Sequence, residues 1–262
     1  MRRTSTQPRL GLSAPPLERA GAGVLPDYSG LSRADLAAMA EAGQEVERCR
    51  RVLAKSGDNI VSDILRGQGT FYEWTHYPEG DVYDFESHAQ YYYHAHPAGE
   101  RPGEHGHFHT FLRQKGMPKG VRPALIRGFV PPPEPDDALG HLVAISMDDR
   151  GNPIQLFTTN RWVTAEVWYA ARDVIAMLDR FEIELANPSW PVNRWITAMV
   201  RLFRPQIELL LLERDRVIAE WQRRHPKVDV FEDRRLEVAS ALEITVEGQM
   251  QRVLGALKRS RR

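Results

Sequence analysis

Polar and apolar residues alternate most clearly at 84–96, where the sequence reads DFESHAQYYYHAH. Even positions in this run are polar, and odd positions are mostly apolar or small. A period of two is typical of a β-strand with one polar and one apolar face. The run EHGHFHTFL at 104–112 places His105, His107 and His109 on one parity. The turn-rich PAGERPG between the two runs predicts that they form a β-hairpin.

The register of this hairpin decides whether its histidines share a face. If paired residue numbers sum to 201, all of the histidines lie on one patch of the sheet, because directly opposed residues share a face. The opposed pairs are then His94 with His107, His96 with His105, and Tyr92 with His109. An even sum would divide the histidines between the two faces. The predicted site therefore depends on an odd register.

Periodicity elsewhere predicts helices before and after this β-rich region. Ser32 is a good N-cap for a helix that Gly57 would end, and a short helix at 59–67 follows. The segments HLVAISMD and PIQLFTTN flank the polar turn DRGN and predict a second β-hairpin. Four later stretches have helical patterns: 164–185, 189–203, 205–225 and 231–258.

The order of these elements predicts an α+β fold. We expect an antiparallel sheet of about four to six strands within residues 70–160, packed against N-terminal and C-terminal helices. The Pro and Gly content of residues 1–30 predicts a disordered tail. We expect 31–262 to form a single domain with three parts: helical (31–69), β-rich (70–160) and helical again (163–258).

Charge and cysteine content narrow the partners and the compartment. The chain of 262 residues has 35 basic and 35 acidic side chains, so no net field attracts nucleic acid or anionic lipid. Cys49 is the single cysteine, which excludes an internal disulfide framework. No apolar run approaches the roughly 18 residues that span a bilayer. We expect a cytoplasmic protein without nucleic-acid or membrane partners, whereas a protein partner or a homo-oligomer stays open.

Histidines collected this densely predict a metal site. Five of the sixteen residues at 94–109 are histidine, and imidazole binds zinc, iron and other transition metals. We expect a transition metal ion, zinc or iron, and the sequence has no motif for an organic cofactor. The candidate metal ligands are His94, His96, His105, His107, His109, His88 and His141.

Four other residues are candidates for chemistry beside the metal. Glu104 and Glu86 are the proton-transfer candidates, since a carboxylate is a common general acid or base. Arg161 follows a predicted strand and can clamp a carboxylate or phosphate, and Tyr92 shares the predicted histidine face. We assign these two residues to the binding of a small-molecule substrate or cofactor.

The sequence leaves open what such a cluster does. A metal-dependent hydrolase or oxygenase would keep an open coordination position and a pocket beside the metal. A non-catalytic metal-handling or regulatory protein would bind its metal on an exposed face. A metal-free cluster would serve proton transfer or structure, with each histidine bonded to protein and no convergence of ring nitrogens.

Two short motifs resemble known families. HAHPAGE places His94, His96 and Glu100 in an H-x-H-x3-E pattern that resembles the first cupin motif, which implies metal binding by these residues. His88 stands where that motif has glycine, and no second cupin motif follows. HGHFHTF at 105–111 resembles the histidine-triad nucleotide hydrolases and transferases, which implies that His107 is a metal-free nucleophile towards phosphorus.

A longer stretch, about 70–170, resembles a bacterial family of unknown function. The resemblance lies in YYYHAH, EHGHFHTFLR, ISMD and LFTTNRWVT. It implies no activity, so the chemistry must be inferred from the residues themselves.

Overall fold

The computed structural model describes residues 26–97 and 99–260. Seven α-helices and six strands occur in these ranges. The helices are α1 (Arg33–Ala54), α2 (Ile60–Ile64), α3 (Arg161–Thr164), α4 (Ala171–Met177), α5 (Trp190–Leu202), α6 (Arg204–Arg224) and α7 (Val246–Arg259). The strands are β1 (Tyr77–Tyr83), β2 (Ala89–His94), β3 (Gly106–Arg113), β4 (Leu139–Met147), β5 (Pro153–Thr159) and β6 (Val238–Glu243).

A single antiparallel sheet takes its strands in chain order, β1-β2-β3-β4-β5-β6. Helices from both ends of the chain accompany it, which confirms the predicted α+β fold. Strands β1 to β5 lie within the predicted β-rich region, and β4 and β5 form the predicted second hairpin. The sheet has edges at β1 and β6, so it is open and is not the closed barrel of the cupins.

Strands β2 and β3 pair in the predicted register. Tyr92 lies opposite His109 and His94 lies opposite His107, and both pairs sum to 201. The pairing stops at His94, so the predicted pair of His96 with His105 does not form. The histidine face therefore exists, but it is shorter than the sequence pattern indicates.

Strand β2 also begins later than the alternation at 84–96 predicts. Residues 84–88 form a turn instead of a strand, because Asp84 Oδ1 accepts hydrogen bonds from the backbone N–H groups of Glu86 and Ser87 at 2.9 and 3.2 Å. His88 takes a left-handed φ of 60° that ends this turn. Strand pairing starts only at Ala89.

The two faces of the sheet have different neighbours. Tyr91 and Phe108 are fully buried on the face that packs against helices. The Tyr91 hydroxyl donates to Asn193 Oδ1 of α5 at 2.5 Å, and the Phe108 ring lies 5.5 Å from the ring of Trp195. His94 and His107 project from the opposite face, where Trp74 and Glu104 from neighbouring loops lie against them.

The predicted helix at 231–258 is wrong in its first half. Val238–Glu243 is strand β6, which pairs with β5, and only Val246–Arg259 is helical. Its Ala, Leu and Glu residues favour helix locally, but pairing at the edge of β5 overrides that propensity. The buried hydrogen bond between Ser240 Oγ and Thr158 Oγ1, at 2.6 Å, joins the two strands further.

The helix predicted at 164–185 is also largely wrong. Only α4 within it is a regular helix of more than one turn. Residues 165–170 make other bonds: Val167 N donates to Leu139 O at 2.9 Å, and Trp168 O accepts from Ala124 N at 2.8 Å. These contacts with neighbouring segments hold the backbone out of a helix.

The remaining helices follow the prediction closely. Ser32 caps α1 in a reciprocal capping box with Asp35, although α1 ends at Ala54, before Gly57. Helices α2, α5 and α6 occupy the predicted stretches to within a few residues.

The predicted tail at 1–30 lies outside the described residues as far as residue 25. Beyond it, the Tyr28 hydroxyl donates to Gln249 Oε1 of α7 at 2.8 Å, so the segment just before α1 is attached to the domain. None of the helices within 26–97 and 99–260 has the length and apolarity needed to cross a membrane.

Candidate metal centre

The histidine cluster extends across β2, β3 and β4, inwards from the hairpin end of β2 and β3. We use the term for five residues on the face of the sheet from which His94 and His107 project: His94, His96, His107, His109 and His141. Four of them are almost fully buried, and His96 is at the rim. Two predicted ligands, His88 and His105, are not part of the cluster.

Three of these histidines bring ring nitrogens together. His94, His96 and His107 each offer one nitrogen, and the three atoms lie within 4.8 Å of one another. The Nε2 atoms of His94 and His107 are 2.7 Å apart. Bonds of about 2.0–2.1 Å to a tetrahedral metal place ligand nitrogens about 3.3 Å apart. The three converging nitrogens are therefore compatible with binding a metal ion.

The cluster continues inward through two more histidines. Nε2 of His109 lies 3.1 Å from Nε2 of His107, and its Nδ1 lies 3.0 Å from Nε2 of His141. His141 Nδ1 in turn lies 3.4 Å from Thr159 Oγ1. Because both ring nitrogens of His109 face other histidines, this residue links His107 to His141 in the interior of the sheet.

Glu104 sets the orientation of His107. Its Oε1 lies 2.8 Å from His107 Nδ1, so Nδ1 carries the proton and donates it, and the Nε2 lone pair faces the cluster. Burial opposes ionisation of Glu104, but the hydrogen bond with His107 and the nearby charge of Arg101 outweigh it and lower the pKa of the carboxyl. A permanent negative charge thus lies behind one candidate ligand.

The buried histidines of the cluster are neutral at pH 7. Burial lowers the pKa of His94 to about 2, that of His107 to about 4 and that of His141 to about 3. Burial also lowers the pKa of His109 well below its usual value, and neighbouring imidazoles add to the effect. Neutral imidazole keeps the lone pair that a metal ion needs.

Gly106 allows the hairpin to bring its strands this close. A Cβ at this position would lie 2.5 Å from His94 O and 2.5 Å from the Tyr93 hydroxyl oxygen. That hydroxyl lies 2.7 Å from His105 Nδ1. His105 therefore packs against Tyr93, which belongs to the helix-packed face, and not against the cluster. The alternation fails at His105 because strand pairing has already ended.

The other predicted site residues lie in different surroundings. Tyr92 is on the histidine face as predicted, stacked on His76 at 3.6 Å. Arg161 pairs with Glu232 and lies over the Phe129 ring. These contacts do not involve the histidine cluster. Glu86 is exposed in the turn that precedes β2.

His88 sits in the same turn as Glu86. Its Nδ1 lies 2.6 Å from the Tyr83 hydroxyl and 3.3 Å from Asp136 Oδ1. These contacts belong to the opposite end of β2 from His94, so His88 is separated from His94 by the length of the strand.

Glu166 is a site residue that the sequence pattern missed. Its Oε2 accepts the backbone N–H of His141 at 2.8 Å, and its Oε1 is buried without a hydrogen-bond partner. Burial raises the pKa of Glu166 to about 7. The only sequence signal was an acid between small or apolar residues in TAEVW, inside the stretch 164–185 that was predicted as helix.

A cavity of about 520 Å³ lies elsewhere, between α1 and α5. Several of its charged side chains pair with one another, as Arg194 does with Glu45 at 2.9 Å and Arg201 with Glu182 at 3.0 Å. No histidine lines it. We therefore take the histidine cluster, and not this cavity, as the candidate functional site.

The fold and the site define an α+β protein with a buried histidine cluster that can hold a metal ion. Residues 40–244 match a family described as a domain of unknown function, DUF6969. The match covers more than half of the chain, so the chain belongs to this family. No curated protein and no solved structure matches it. The predicted resemblance to an uncharacterised family is confirmed, and function must be inferred from the residues of the cluster.

Proposed function

We propose that this protein is a metalloenzyme whose transition metal ion, zinc or iron, is held by His94, His96 and His107. The observation that carries this proposal is the convergence of their ring nitrogens within 4.8 Å. His107 Nε2 faces both His94 Nε2 and His109 Nε2, although one lone pair accepts only one good hydrogen bond. A metal ion satisfies such a crowded set of nitrogens better than hydrogen bonds do.

The ligand count favours catalysis over storage. Three protein ligands are typical of catalytic metal sites, which leave a further position for water or substrate. A bound metal would supply Lewis-acid or redox chemistry there, as in a hydrolase or an oxygenase. His94 and His107 are almost fully buried, whereas a metal-handling protein that delivers its ion benefits from an exposed site.

Within this proposal, Glu104 is a positioning residue. It contacts His107 at Nδ1, on the side of the ring away from the converging nitrogens. It therefore orients the ligand and increases its basicity, and this geometry does not favour the proton-transfer role predicted from the sequence. His109 and His141 support the cluster from within.

The histidine-triad alternative receives less support from the geometry. It needs the histidines of HGHFH on one side of the strand, but His105 packs against Tyr93 and Phe71. His107 also has Glu104 and two histidines around it, which leaves no open approach for in-line attack on phosphorus.

The test compares the metal content of untagged protein, purified without chelators, with that of His107→Ala and His105→Ala, by plasma mass spectrometry. We expect near-stoichiometric zinc or iron in the parent and in His105→Ala, and almost none in His107→Ala. His105→Ala is the matched control, because it removes an imidazole two residues away that contacts Tyr93 instead of the cluster. Equal metal in both variants, or none in the parent after reconstitution, would refute the proposal.

A further inference from the structure

The segment 71–76 crosses the rim of the histidine cluster and presents aromatic side chains to solvent. We call it the aromatic strap. Phe71, Tyr72 and Trp74 are 38%, 63% and 55% exposed, although side chains of this size usually bury most of their surface. A cluster of exposed aromatic side chains is typical of an interaction surface or a ligand-binding groove.

Trp74 is held against the cluster by a strained backbone. Its φ is 66°, in the left-handed region that a bulky residue adopts only where its surroundings force it. Its backbone N–H donates to Ala95 O at 2.9 Å, which ties the strap to the end of β2. This conformation places the indole 4.1 Å from the ring of His96 and 6.4 Å from that of His94.

The rest of the strap is also fixed in place. The Tyr72 backbone N–H donates to the Tyr77 hydroxyl at 2.6 Å, and Phe71 stacks on the Tyr77 ring at 5.1 Å. Phe71 also approaches His105, with ring centroids 5.7 Å apart. The exposed aromatic faces are therefore preorganised beside two candidate metal ligands.

Charged side chains of the hairpin loop at this rim already have partners, whereas Glu73 of the strap itself is exposed. Arg101 pairs with Glu237 at 2.5 Å and lies 3.8 Å from Glu104, and Glu100 lies 3.4 Å from His96 Nδ1. Among the described residues around His96, the aromatic faces of the strap are therefore available to a ligand, whereas these paired charges contribute little to its recognition. This arrangement favours a flat, uncharged group over a strongly ionic one.

We propose that the aromatic strap is a substrate subsite for an aromatic ring, which stacks on Trp74 while a polar group of the same molecule binds the metal. This proposal rests on the proposed metal centre. It names the substrate class of that centre as small aromatic compounds that carry an oxygen or nitrogen donor.

The experiment titrates metal-loaded protein calorimetrically with three hydroxamates that share one metal-binding group. Acetohydroxamate has no ring, cyclohexanecarbohydroxamate has a saturated ring, and benzohydroxamate has an aromatic ring. We expect benzohydroxamate to bind about three- to tenfold more tightly than the cyclohexane analogue, which is the range that aromatic stacking supports.

Substitution of Trp74 assigns the effect to the strap. Trp74→Ala should remove the advantage of benzohydroxamate and leave the affinity for acetohydroxamate and the metal content unchanged. Trp74→Phe should keep most of the advantage, because it retains an aromatic face. The matched control is Trp190→Ala, which removes a tryptophan of similar exposure, 45%, from the start of α5, and it should behave like the parent.

The outcomes separate this subsite from the metal centre. If acetohydroxamate binds but benzohydroxamate has no advantage, or keeps its advantage in Trp74→Ala, the subsite is refuted and the metal centre stands. If acetohydroxamate does not bind to protein that retains its metal, the open coordination position is refuted and the subsite with it. Loss of metal from the parent protein would refute the proposed function itself.

Discussion

Among single residues, Glu104 has the most specific effect on the candidate metal centre, because its hydrogen bond selects the tautomer of His107. We expect Glu104→Ala to weaken metal affinity about 100-fold and Glu104→Gln about tenfold, in the range typical of residues that orient metal ligands. Gln can still accept the Nδ1 proton of His107, but it lacks the negative charge. Competition against a chromophoric chelator at fixed pH measures both affinities.

The control for this prediction is Glu100→Gln. Glu100 is half exposed and lies 3.4 Å from His96 Nδ1, so its removal should change metal affinity little. Wild-type affinity in Glu104→Ala would show that His107 is not a ligand or that its orientation is fixed by other contacts.

The residues of the cluster differ in how far the sequence could predict them. His94, His107 and His109 were predictable because alternation within a paired strand fixes which side chains share a face. The pattern placed His105 and His88 on that face wrongly, because the alternation in the sequence continues beyond the ends of β2 and β3. Trp74 and Glu166 come from segments that only the folded chain brings to the sheet.

Among the elements, α1 and α7 make a contact that a single glycine permits. A Cβ on Gly43 of α1 would lie 1.8 Å from Met250 Sδ, whereas a Cβ on Gly255 of α7 would meet nothing closer than the Arg259 guanidinium at 3.5 Å. Both substitutions to Ala gain helix propensity. Overpacking costs about 1–3 kcal/mol, so we expect Gly43→Ala to be less stable than Gly255→Ala by that amount in urea denaturation.

Equal stability of the two glycine variants would contradict this packing. It would mean that Met250 swings aside at no cost, or that α7 is not fixed against α1. The Gly255→Ala variant serves as the control, because it makes the same chemical change in a helix without the close contact.

Elements were predicted well where the signal was local. The N-cap of α1, the start of α5 after Ser189 and the two hairpins all have their determinants within a few residues. Strand β6 was predicted as helix because its residues favour helix, and its pairing partner β5 lies about 80 residues earlier in the chain. A partner so distant in sequence leaves no mark on the local pattern.

At the scale of the whole molecule, the buried histidines make the metal-free protein sensitive to acid. Their folded-state pKa values of about 2 for His94, 4 for His107 and 3 for His141 lie below the value of about 6.5 expected in the unfolded chain. The contribution of these histidines to the free energy of unfolding is complete above pH 6.5. It is lost progressively as pH falls, because the unfolded chain takes up protons that the folded state does not.

Glu166 acts in the opposite direction. Its pKa is raised by burial from 4.5 to about 7, so its contribution is present below pH 4.5 and is lost as pH rises towards 7. Each group changes stability by at most about 1.4 kcal/mol per pH unit. Between pH 5 and 6.5 the effect of several histidines on stability is therefore larger than the opposite effect of the single Glu166 carboxyl. Carboxylates with lowered pKa values change stability only at lower pH.

We therefore expect chelator-stripped protein to unfold at lower urea concentration at pH 5 than at pH 7. Replacing His107 with Gln removes one titrating group, so the pH dependence should become shallower by about one proton, or about 1.4 kcal/mol per pH unit at most. Metal should raise the midpoint at both pH values, because the lowered folded-state pKa values leave His94 and His107 neutral and able to bind it at pH 5. Identical midpoints at the two pH values in stripped protein would mean that the histidines are not buried as a neutral cluster, and the basis for metal binding at this face of the sheet would be lost.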